Sequence, residues 1–238
     1  MINKKQHNLQ HEIWDSEHKK PFMFPFVDST EPNPGVVLFW EWLNVQRENS
    51  PLKGLDVCCG KGRNAIWLAG KGINMDGFDF SEIAITEAKR RKQHLALPGK
   101  INFQIHDAFD RWSYDDHQFD FVIDCFGSAD IESQEGRDYV LNETYRVLKP
   151  NGYYFLQIDT PEIGFFAERF NNARGIERNT LVFPNGKIES ILTEEDIAAW
   201  SHPLKLIDVR REIESTHEIF GQTQPYKYFW IITQATIG

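Results

Sequence analysis

Acidic side chains stand at or near the end of several short apolar runs in the first half of the chain. Asp79 ends the run MDGFD, Asp107 follows INFQI, and Asp124 lies within FDFVIDCF. A carboxylate accepts hydrogen bonds from hydroxyl and amine groups, and an acidic residue about 20 positions after a glycine turn can bind both hydroxyls of a ribose. Asp79 has this spacing from Gly60. The pattern indicates a site for a ligand that contains a nucleoside.

A glycine turn precedes these residues and runs directly into a helical stretch. Its sequence is DVCCGKGR, with Asp56 on the strand and glycines at 60 and 62. Glycines let a ligand approach the backbone, and a helix N-terminus offers unpaired N–H donors. The third glycine of a dinucleotide motif is missing. A carboxylate at Asp56 would repel a pyrophosphate and attract a cationic sulfonium amino acid.

Each signal is weak when it is taken alone. A glycine turn after a strand is as often a plain turn, and an aspartate at a strand end more often caps a helix or forms a turn. Their order over four consecutive apolar runs is what favours a bound nucleoside. Parallel strands end at one edge of a sheet, where ligands of doubly wound folds bind.

The elements that would position these residues alternate between strand and helix. This alternation predicts a doubly wound, mostly parallel α/β sheet of seven strands. The connection Gly221–Pro225 is too short for a helix, so the last strand is expected to be antiparallel. The predicted strands are 55–59, 75–80, 101–107, 119–126, 153–159, 204–212 and 227–233, and the predicted helices are 35–48, 63–70, 82–96 and 134–148.

The stretch 160–203 interrupts this rhythm. It contains a helical segment starting at Pro161, a hairpin around Asn185-Gly186 with the sequence of a type I′ turn, and a capping box from Thr193 to Asp196. We interpret it as an insertion at the carboxyl edge of the sheet within a domain 51–238, not as an independent domain.

Residues 1–34 are predicted to be a loop-rich arm with one short helix near Ile13-Trp14. The arm is too polar to form a core, yet it carries Trp14, Phe22, Phe24 and Phe26. These aromatic residues must dock on the main domain. Our hypothesis is that residues 1–50, the arm and helix 35–48, cover the ligand crevice. The alternative is that the arm covers an apolar face or a dimer interface elsewhere.

Composition excludes several functional classes. The 238 residues are 41% hydrophobic and 26% charged, with a net charge of −9 and one basic run, KRRK. This composition is typical of a globular protein, and the negative net charge argues against a nucleic-acid partner. There is no run of membrane-spanning length and no signal-peptide pattern. The cysteines at 58, 59 and 125 suggest no disulfide framework, and no His/Cys spacing suggests zinc, so we expect a cytoplasmic protein without a metal.

The segment LDVCCGKGRNAIWLAGKGINMDGFDFS, with INFQIHDAFD, FDFVIDCFGS and LNETYRVLKPNGYYFL after it, resembles the class I S-adenosylmethionine-dependent methyltransferases. The resemblance is close over about residues 50–160 and loose over 160–235. It implies a Rossmann-like methyltransferase fold with S-adenosylmethionine as the cofactor. Cys58 replaces the first glycine of the family motif, which would narrow the pocket or reorient its loop.

The resemblance also implies roles for individual residues. Around the methionine part of the cofactor it places Asp56, Cys58, Gly60 and Gly62, with Asp124 near the methionine amino group and the transferred methyl. For the nucleoside it implies that Asp79 binds the ribose, Phe80 packs on the adenine, and Asp107 and the backbone of Ala108 bind the adenine edge.

The expected reaction is an in-line methyl transfer that needs alignment and exclusion of water more than a base. His217, Tyr226 and Asp124 are candidate bases, and none is assigned as catalytic. The Asp-Cys-Phe-Gly sequence after strand four lacks the motif of amino-group DNA methyltransferases, so a small-molecule acceptor is expected. A methyltransferase of a protein or other macromolecule and a non-catalytic binding protein remain alternatives, and the oligomeric state is left open.

Overall fold

The computed structural model describes residues 4–46, 51–160, 177, 179–193, 195–196, 204–219 and 221–236. The helices within these ranges are α1 Lys4–Lys19, α2 Pro34–Gln46, α3 Arg63–Gly70, α4 Glu82–Lys92 and α5 Gln134–Val147. The strands are β1 Lys53–Val57, β2 Asn74–Asp79, β3 Ile101–Ile105, β4 Phe119–Cys125, β5 Leu148–Asp159, β6 Thr180–Val182, β7 Ile188–Ser190, β8 Leu204–Ile219 and β9 Gln222–Ala235.

The main sheet has seven strands in the order β3-β2-β1-β4-β5-β9-β8. β1 pairs in parallel with β2 and β4, and β3 and β5 extend the parallel part on either side. β9 is antiparallel to both β5 and β8. The prediction of a mostly parallel sheet with an antiparallel last strand is therefore confirmed. The strand order reverses between β1 and β4, which is where such sheets bind ligands.

The central strands are covered on both faces, as parallel sheets require. Six of the seven residues of β4 are buried, and Cys125 is partly exposed. On one face, α2 brings Phe39 to within 5.0 Å of Phe155 and 5.7 Å of Phe121, measured between ring centroids. On the other face, Phe78 packs against Trp112 at 5.0 Å. None of the helices in the described ranges is long and apolar enough to cross a membrane.

Several predicted boundaries move. α3 has the predicted bounds, but α4 ends at Lys92 instead of residue 96. The predicted connection Gly221–Pro225 is wrong in length, because Gln222 already pairs with Ile219 and the chain reverses at Gly221, whose φ is 71°. A glycine accepts this left-handed conformation at little cost, so the two long strands can join in a tight turn.

The N-terminal arm differs most from its prediction, because α1 is a regular helix of 16 residues. Glu17 fixes the chain after it, since its Oε2 accepts hydrogen bonds from the N–H groups of Met23 and Phe22, both at 3.0 Å. Met23 and Phe24 are buried, whereas Phe22 is exposed. Two of the four arm aromatics, Trp14 and Phe24, stack on each other with their centroids 6.1 Å apart.

The predicted hairpin is present as β6 and β7, but its turn is not of type I′. Type I′ needs a positive φ at both central residues, and here φ is positive at Gly186 (87°) and not at Asn185. Phe183 and Lys187 bond across a three-residue loop instead, because Pro184 fixes the φ of a type I turn. The capping box is confirmed, since the Thr193 hydroxyl and the Asp196 carboxylate each accept the other's N–H. The helix predicted from Pro161 lies outside the described residues.

Candidate functional site

A cavity of about 160 Å³ lies at the carboxyl ends of the parallel strands, with α1 across it. It collects residues from the ends of β1, β2, β3 and β4 at the switch point of the sheet. Seven of the nine residues predicted to bind the cofactor line it, while Gly62 and Asp124 do not. Those that line it are Asp56, Cys58, Gly60, Asp79, Phe80, Asp107 and Ala108.

The turn between β1 and α3 keeps a glycine-like backbone even where the residue is cysteine. The φ angles of Cys58, Gly60 and Gly62 are 51°, 52° and 77°. Such a conformation strains a residue with a side chain. Gly127 opposite leaves room for Cys58, because a Cβ on it would lie 2.8 Å from the Cys58 Cβ. Cys58 therefore lines the cavity with a thiol while it holds a left-handed backbone conformation.

Gly62 acts through packing and not through the cavity. It precedes the first residue of α3, and a Cβ at this position would lie 2.5 Å from the Phe103 ring. Real Cβ atoms essentially never lie within 3.0 Å of another such heavy atom, so a side chain here would force a shift. The missing side chain at the second glycine of the motif thus lets the start of helix α3 lie close to strand β3, directly after the turn.

Asp56 is buried beneath the turn. Its Oδ2 accepts a hydrogen bond from the Ala65 N–H in the first turn of α3, at 3.2 Å. Burial raises the pKa of Asp56 to about 8, and this hydrogen bond opposes the shift only in part. A cation bound in the cavity would favour its ionised form.

Asp79 is also buried and ties the turn to the end of β2. Its Oδ1 accepts from the Ser81 N–H and its Oδ2 from the Gly60 N–H, both at 2.9 Å. Burial raises the pKa of Asp79, and the nearby His18 opposes the shift. A carboxylate oxygen can accept more than one hydrogen bond, so both oxygens keep acceptor capacity. His18 lines the same cavity, and its buried Nδ1 has no hydrogen-bond partner among the described residues.

Asp107 and Phe80 are both contacted by helix α1. Asp107 Oδ1 accepts from the Phe109 N–H at 2.9 Å, and its Oδ2 lies 2.9 Å from His7 Nε2. The His11 ring stacks on Phe80, with centroids 3.9 Å apart and planes at 8°. Burial opposes ionisation at both Asp107 and His7. His11, the Phe109 N–H and His7 nevertheless lower the pKa of Asp107, while Asp107 and Glu132 raise that of His7.

Asp124 does not reach the cavity, because its carboxylate is used within the protein. It is fully buried. Its Oδ1 accepts from the Ser128 N–H at 3.0 Å, and its Oδ2 accepts from the hydroxyl of Ser128 and, at 3.1 Å, from that of Tyr154. The residue expected beside the methionine amino group instead holds the loop 125–128, of which residues 125–127 do line the cavity.

Sequence reasoning missed the polar residues that α1 adds. His7, His11 and His18 line the cavity, as do Asp130 and Glu132 after β4. The available signal was the His-x3-His spacing of HNLQH, which places both side chains on one helix face. It was overlooked because the arm was predicted to be largely loop. The side chains of His217 and Tyr226, the other candidate bases, lie outside the described part.

A buried lysine connects the arm to the hairpin. The Lys187 Nζ lies 2.6 Å from both Asp130 Oδ1 and Glu189 Oε2. It also lies 4.8 Å from the ring centroid of Phe24, an arm residue. Burial raises the pKa of Asp130 to about 7, although Lys187 opposes the shift. The ammonium thus joins the cavity wall, the arm and the hairpin at one point.

The strand order and the cavity define a Rossmann-like fold of the methyltransferase type. An S-adenosylmethionine-dependent methyltransferase from Methanosarcina mazei superposes on 87% of this chain and 100% of its own, with a TM-score of 0.71 and 21% identity. The 1,6-didemethyltoxoflavin-N1-methyltransferase of Burkholderia thailandensis superposes on 100% of this chain and 92% of its own, with a TM-score of 0.73 and 12% identity. At these identities the likeness shows the fold alone.

Sequence comparison finds similarity to methyltransferases, over less than half of the chain in the family model and in two curated relatives. Residues 55–152 match the family model described as a methyltransferase domain. The demethylmenaquinone methyltransferase of Leptospira interrogans is 32% identical over 111 residues, which are 46% of this chain and 43% of that protein. The ubiquinone/menaquinone biosynthesis C-methyltransferase of Geotalea daltonii is 31% identical over 121 residues, 49% of this chain and 50% of its own. The chain spans about half the length of these relatives. Residues 55–152 are thus similar to a methyltransferase domain, and the chain has the fold of S-adenosylmethionine-dependent methyltransferases.

Proposed function

We propose that the protein is an S-adenosylmethionine-dependent methyltransferase that acts on a small molecule. The observation that carries the proposal is the single cavity that joins Asp79 and Asp107 to the glycine turn at the switch point of the sheet. Hydroxyl groups, a purine edge and a cationic amino acid each have a chemically suitable partner there. The unpartnered Nδ1 of His18 beside Asp79 also fits a polar ligand in this cavity.

The chain's residues would bind the cofactor from both ends of the cavity. Asp79 accepts hydrogen bonds from the ribose hydroxyls while it keeps its bonds to Gly60 and Ser81. Asp107 and the Ala108 backbone bind the adenine edge, and Phe80 packs on its face. Asp56 and the turn at Gly60 attract the methionine part, where positive charge favours the carboxylate form of Asp56. Asp124 contributes indirectly, because it fixes the loop 125–128.

The bound cofactor supplies a methyl group already activated by its sulfonium centre. The chain therefore has to align the acceptor and exclude water. We propose that the segment 1–50 provides this cover over the domain 51–238 with its insertion at 160–203. Helix α1 lies across the cavity, while α2 packs on one face of the sheet. His7, Trp14 and Phe26 on the cavity wall support this role. No residue is assigned as a base.

A small acceptor is supported by three observations. α1 lies across the cavity, which limits access for a polymer. The net charge of −9 disfavours nucleic acid. The relatives named above are quinone-pathway methyltransferases by name.

The competing candidates are a methyltransferase of a macromolecule and a non-catalytic binding protein, the latter motivated by Cys58. The three free cysteines support a reducing compartment such as the cytoplasm.

Calorimetric titration with S-adenosylmethionine and S-adenosylhomocysteine tests the cofactor assignment. We expect one site per chain for each ligand. Absence of binding by both would refute it. Transfer of tritiated methyl to a panel of small molecules, proteins and nucleic acids then separates the candidate acceptors, and cofactor binding without any transfer would favour the non-catalytic candidate.

Hydrogen exchange with and without S-adenosylhomocysteine tests the arm. We expect residues 10–30 to gain protection together with the turn at 58–63. If the turn alone becomes protected, the arm does not cover the cofactor.

A further inference from the structure

Two histidines of α1 converge on one carboxylate oxygen. His7 and His11 are four residues apart, so they share a face of the helix. Their Nε2 atoms lie 2.9 and 3.2 Å from Asp107 Oδ2. The donor atoms of the three residues all lie within 4.8 Å of one another. Two imidazoles and a carboxylate thus face one small volume at the end of β3.

These donors are of the kind that zinc and similar divalent transition metals prefer. Zinc is bound by imidazole nitrogen and carboxylate oxygen at about 2.0–2.2 Å, so tetrahedral donors stand roughly 3.4 Å apart. The observed separations need only small side-chain movements to reach this spacing. Two nitrogen donors disfavour magnesium and calcium, which prefer oxygen.

The surroundings of each histidine support metal binding over a simple hydrogen-bonded cluster. His7 Nδ1 lies 2.9 Å from Glu132 Oε1, an arrangement that orients a metal-binding imidazole. It directs Nε2 towards Asp107, where a metal ion would replace the present hydrogen bond between them. His11 Nε2 is buried, lies 3.2 Å from Asp107 Oδ2 and has no well-formed hydrogen bond to any of the described residues. A buried polar atom without a partner is costly, and a metal ion would satisfy it.

We propose that His7, His11 and Asp107 form a site for a divalent transition metal of the zinc class, with Glu132 orienting His7. The metal joins α1 to the end of β3. A fourth position remains for water or another ligand. This site differs from the sequence-based expectation of no metal, because the ligands come from segments 100 residues apart.

The metal and the cofactor would weaken each other's binding, a consequence that rests on the proposed function. His11 stacks on Phe80 and approaches Asp107, the same two side chains proposed to hold adenine. With the metal bound, His11 is fixed in that position and Asp107 is no longer free. Zinc should therefore weaken cofactor binding, and by linkage the cofactor should weaken zinc binding by the same factor.

The test titrates zinc into the metal-free full-length protein, with cobalt absorption in the visible range as a second readout. We expect one ion per chain. His7→Gln and His11→Phe should each lower zinc affinity at least about tenfold. His11→Phe keeps an aromatic ring on Phe80, and His94→Ala, at an exposed histidine outside the cavity, is the matched control. Absence of zinc binding would overturn the site. Binding unchanged in both variants would also overturn it and would point to the cysteines or another histidine.

A second titration separates this proposal from the proposed function. S-adenosylhomocysteine is added in the presence of a chelator and again with saturating zinc. We expect about tenfold weaker binding with zinc, and no zinc effect in His11→Phe. Equal affinity in both conditions would overturn the competition. Absence of cofactor binding in the chelator would refute the proposed function, while the zinc titration still decides the metal site.

Discussion

The two halves of the cavity use the same residue type in different ways. At the ends of β1 and β4, Asp56 and Asp124 are enclosed and bond to the first turn of the segment that follows. At the ends of β2 and β3, Asp79 and Asp107 face α1, with His18 beside one and His7 beside the other. In the first half only Asp56 also lines the cavity, whereas both carboxylates of the second half line it beside histidines of α1. A carboxylate at a strand end is therefore not a ligand contact by position alone.

The strongest test of this contrast is Asp124→Ala. It leaves the Ser128 N–H and the Tyr154 hydroxyl without their buried acceptor, so we expect the free energy of unfolding to fall by about 3 kcal/mol. Urea unfolding measures the change. Asp116→Ala, which removes an exposed carboxylate, is the control and should shift stability by about 0.5 kcal/mol or less. Wild-type stability in Asp124→Ala would remove the distinction between the two halves.

Asp79→Ala probes the other half. The variant should stay folded and bind S-adenosylhomocysteine more weakly by about 1.5–3 kcal/mol, because a charged acceptor of two hydroxyls is lost. Calorimetry measures the affinity, and Asp116→Ala again serves as the control. Unchanged affinity in a folded Asp79→Ala protein would show that the ribose assignment is incorrect.

The pH dependence of stability sharpens the role of Asp56. Its pKa is about 8 in the folded protein and roughly 3.9 when unfolded, so between these values only the folded state holds the proton. The contribution of protonated Asp56 to the free energy of unfolding is complete below about pH 4 and is lost as the pH rises towards 8. Asp56→Asn keeps an acceptor for Ala65 and cannot titrate.

Between about pH 5 and 7, the unfolding free energy of the wild type should therefore fall more steeply than that of Asp56→Asn, by about 1 kcal/mol per pH unit. Urea unfolding of both proteins at several pH values gives the two slopes. Parallel slopes would mean that Asp56 is ionised in the folded protein.

The smallest effect is expected from Asp107→Ala. The Ala108 backbone donor remains for the adenine edge, so the affinity for S-adenosylhomocysteine should fall by about 1 kcal/mol in the presence of a chelator. The variant should also discriminate less between adenosyl and inosyl analogues. An unchanged preference between these analogues would contradict a contact with the purine edge.

The sheet could be predicted because its signals are local. Short apolar runs predict β1 to β5, and glycine or proline stops predict where the helices between them end. The glycines of the turn mark where the backbone must be left-handed. The cavity residues of the strand ends follow from the topology. The direction in which Asp124 points could not be predicted, because it depends on Tyr154 from the neighbouring strand.

Helix α1 escaped prediction for a physical reason. Its buried residues are Gln10, Glu17 and His18, all polar, so burial leaves no apolar periodicity in the sequence. Gln10 is satisfied by distant backbone groups, because it donates to the carbonyl of Gly186 at 3.0 Å and accepts from the N–H of Ile188 at 2.9 Å. Such partners become visible only in the folded molecule.

The contact between Gln10 and Ile188 spans 178 residues, which sets an order of events during synthesis. The helix leaves the ribosome first, yet the hairpin that receives it follows on the order of 10–40 s later at typical translation rates. Until the hairpin is made, the polar helix α1 exposes little apolar surface to other chains. The nascent sheet can therefore assemble with its ligand edge open, and α1 can dock only when the hairpin has emerged.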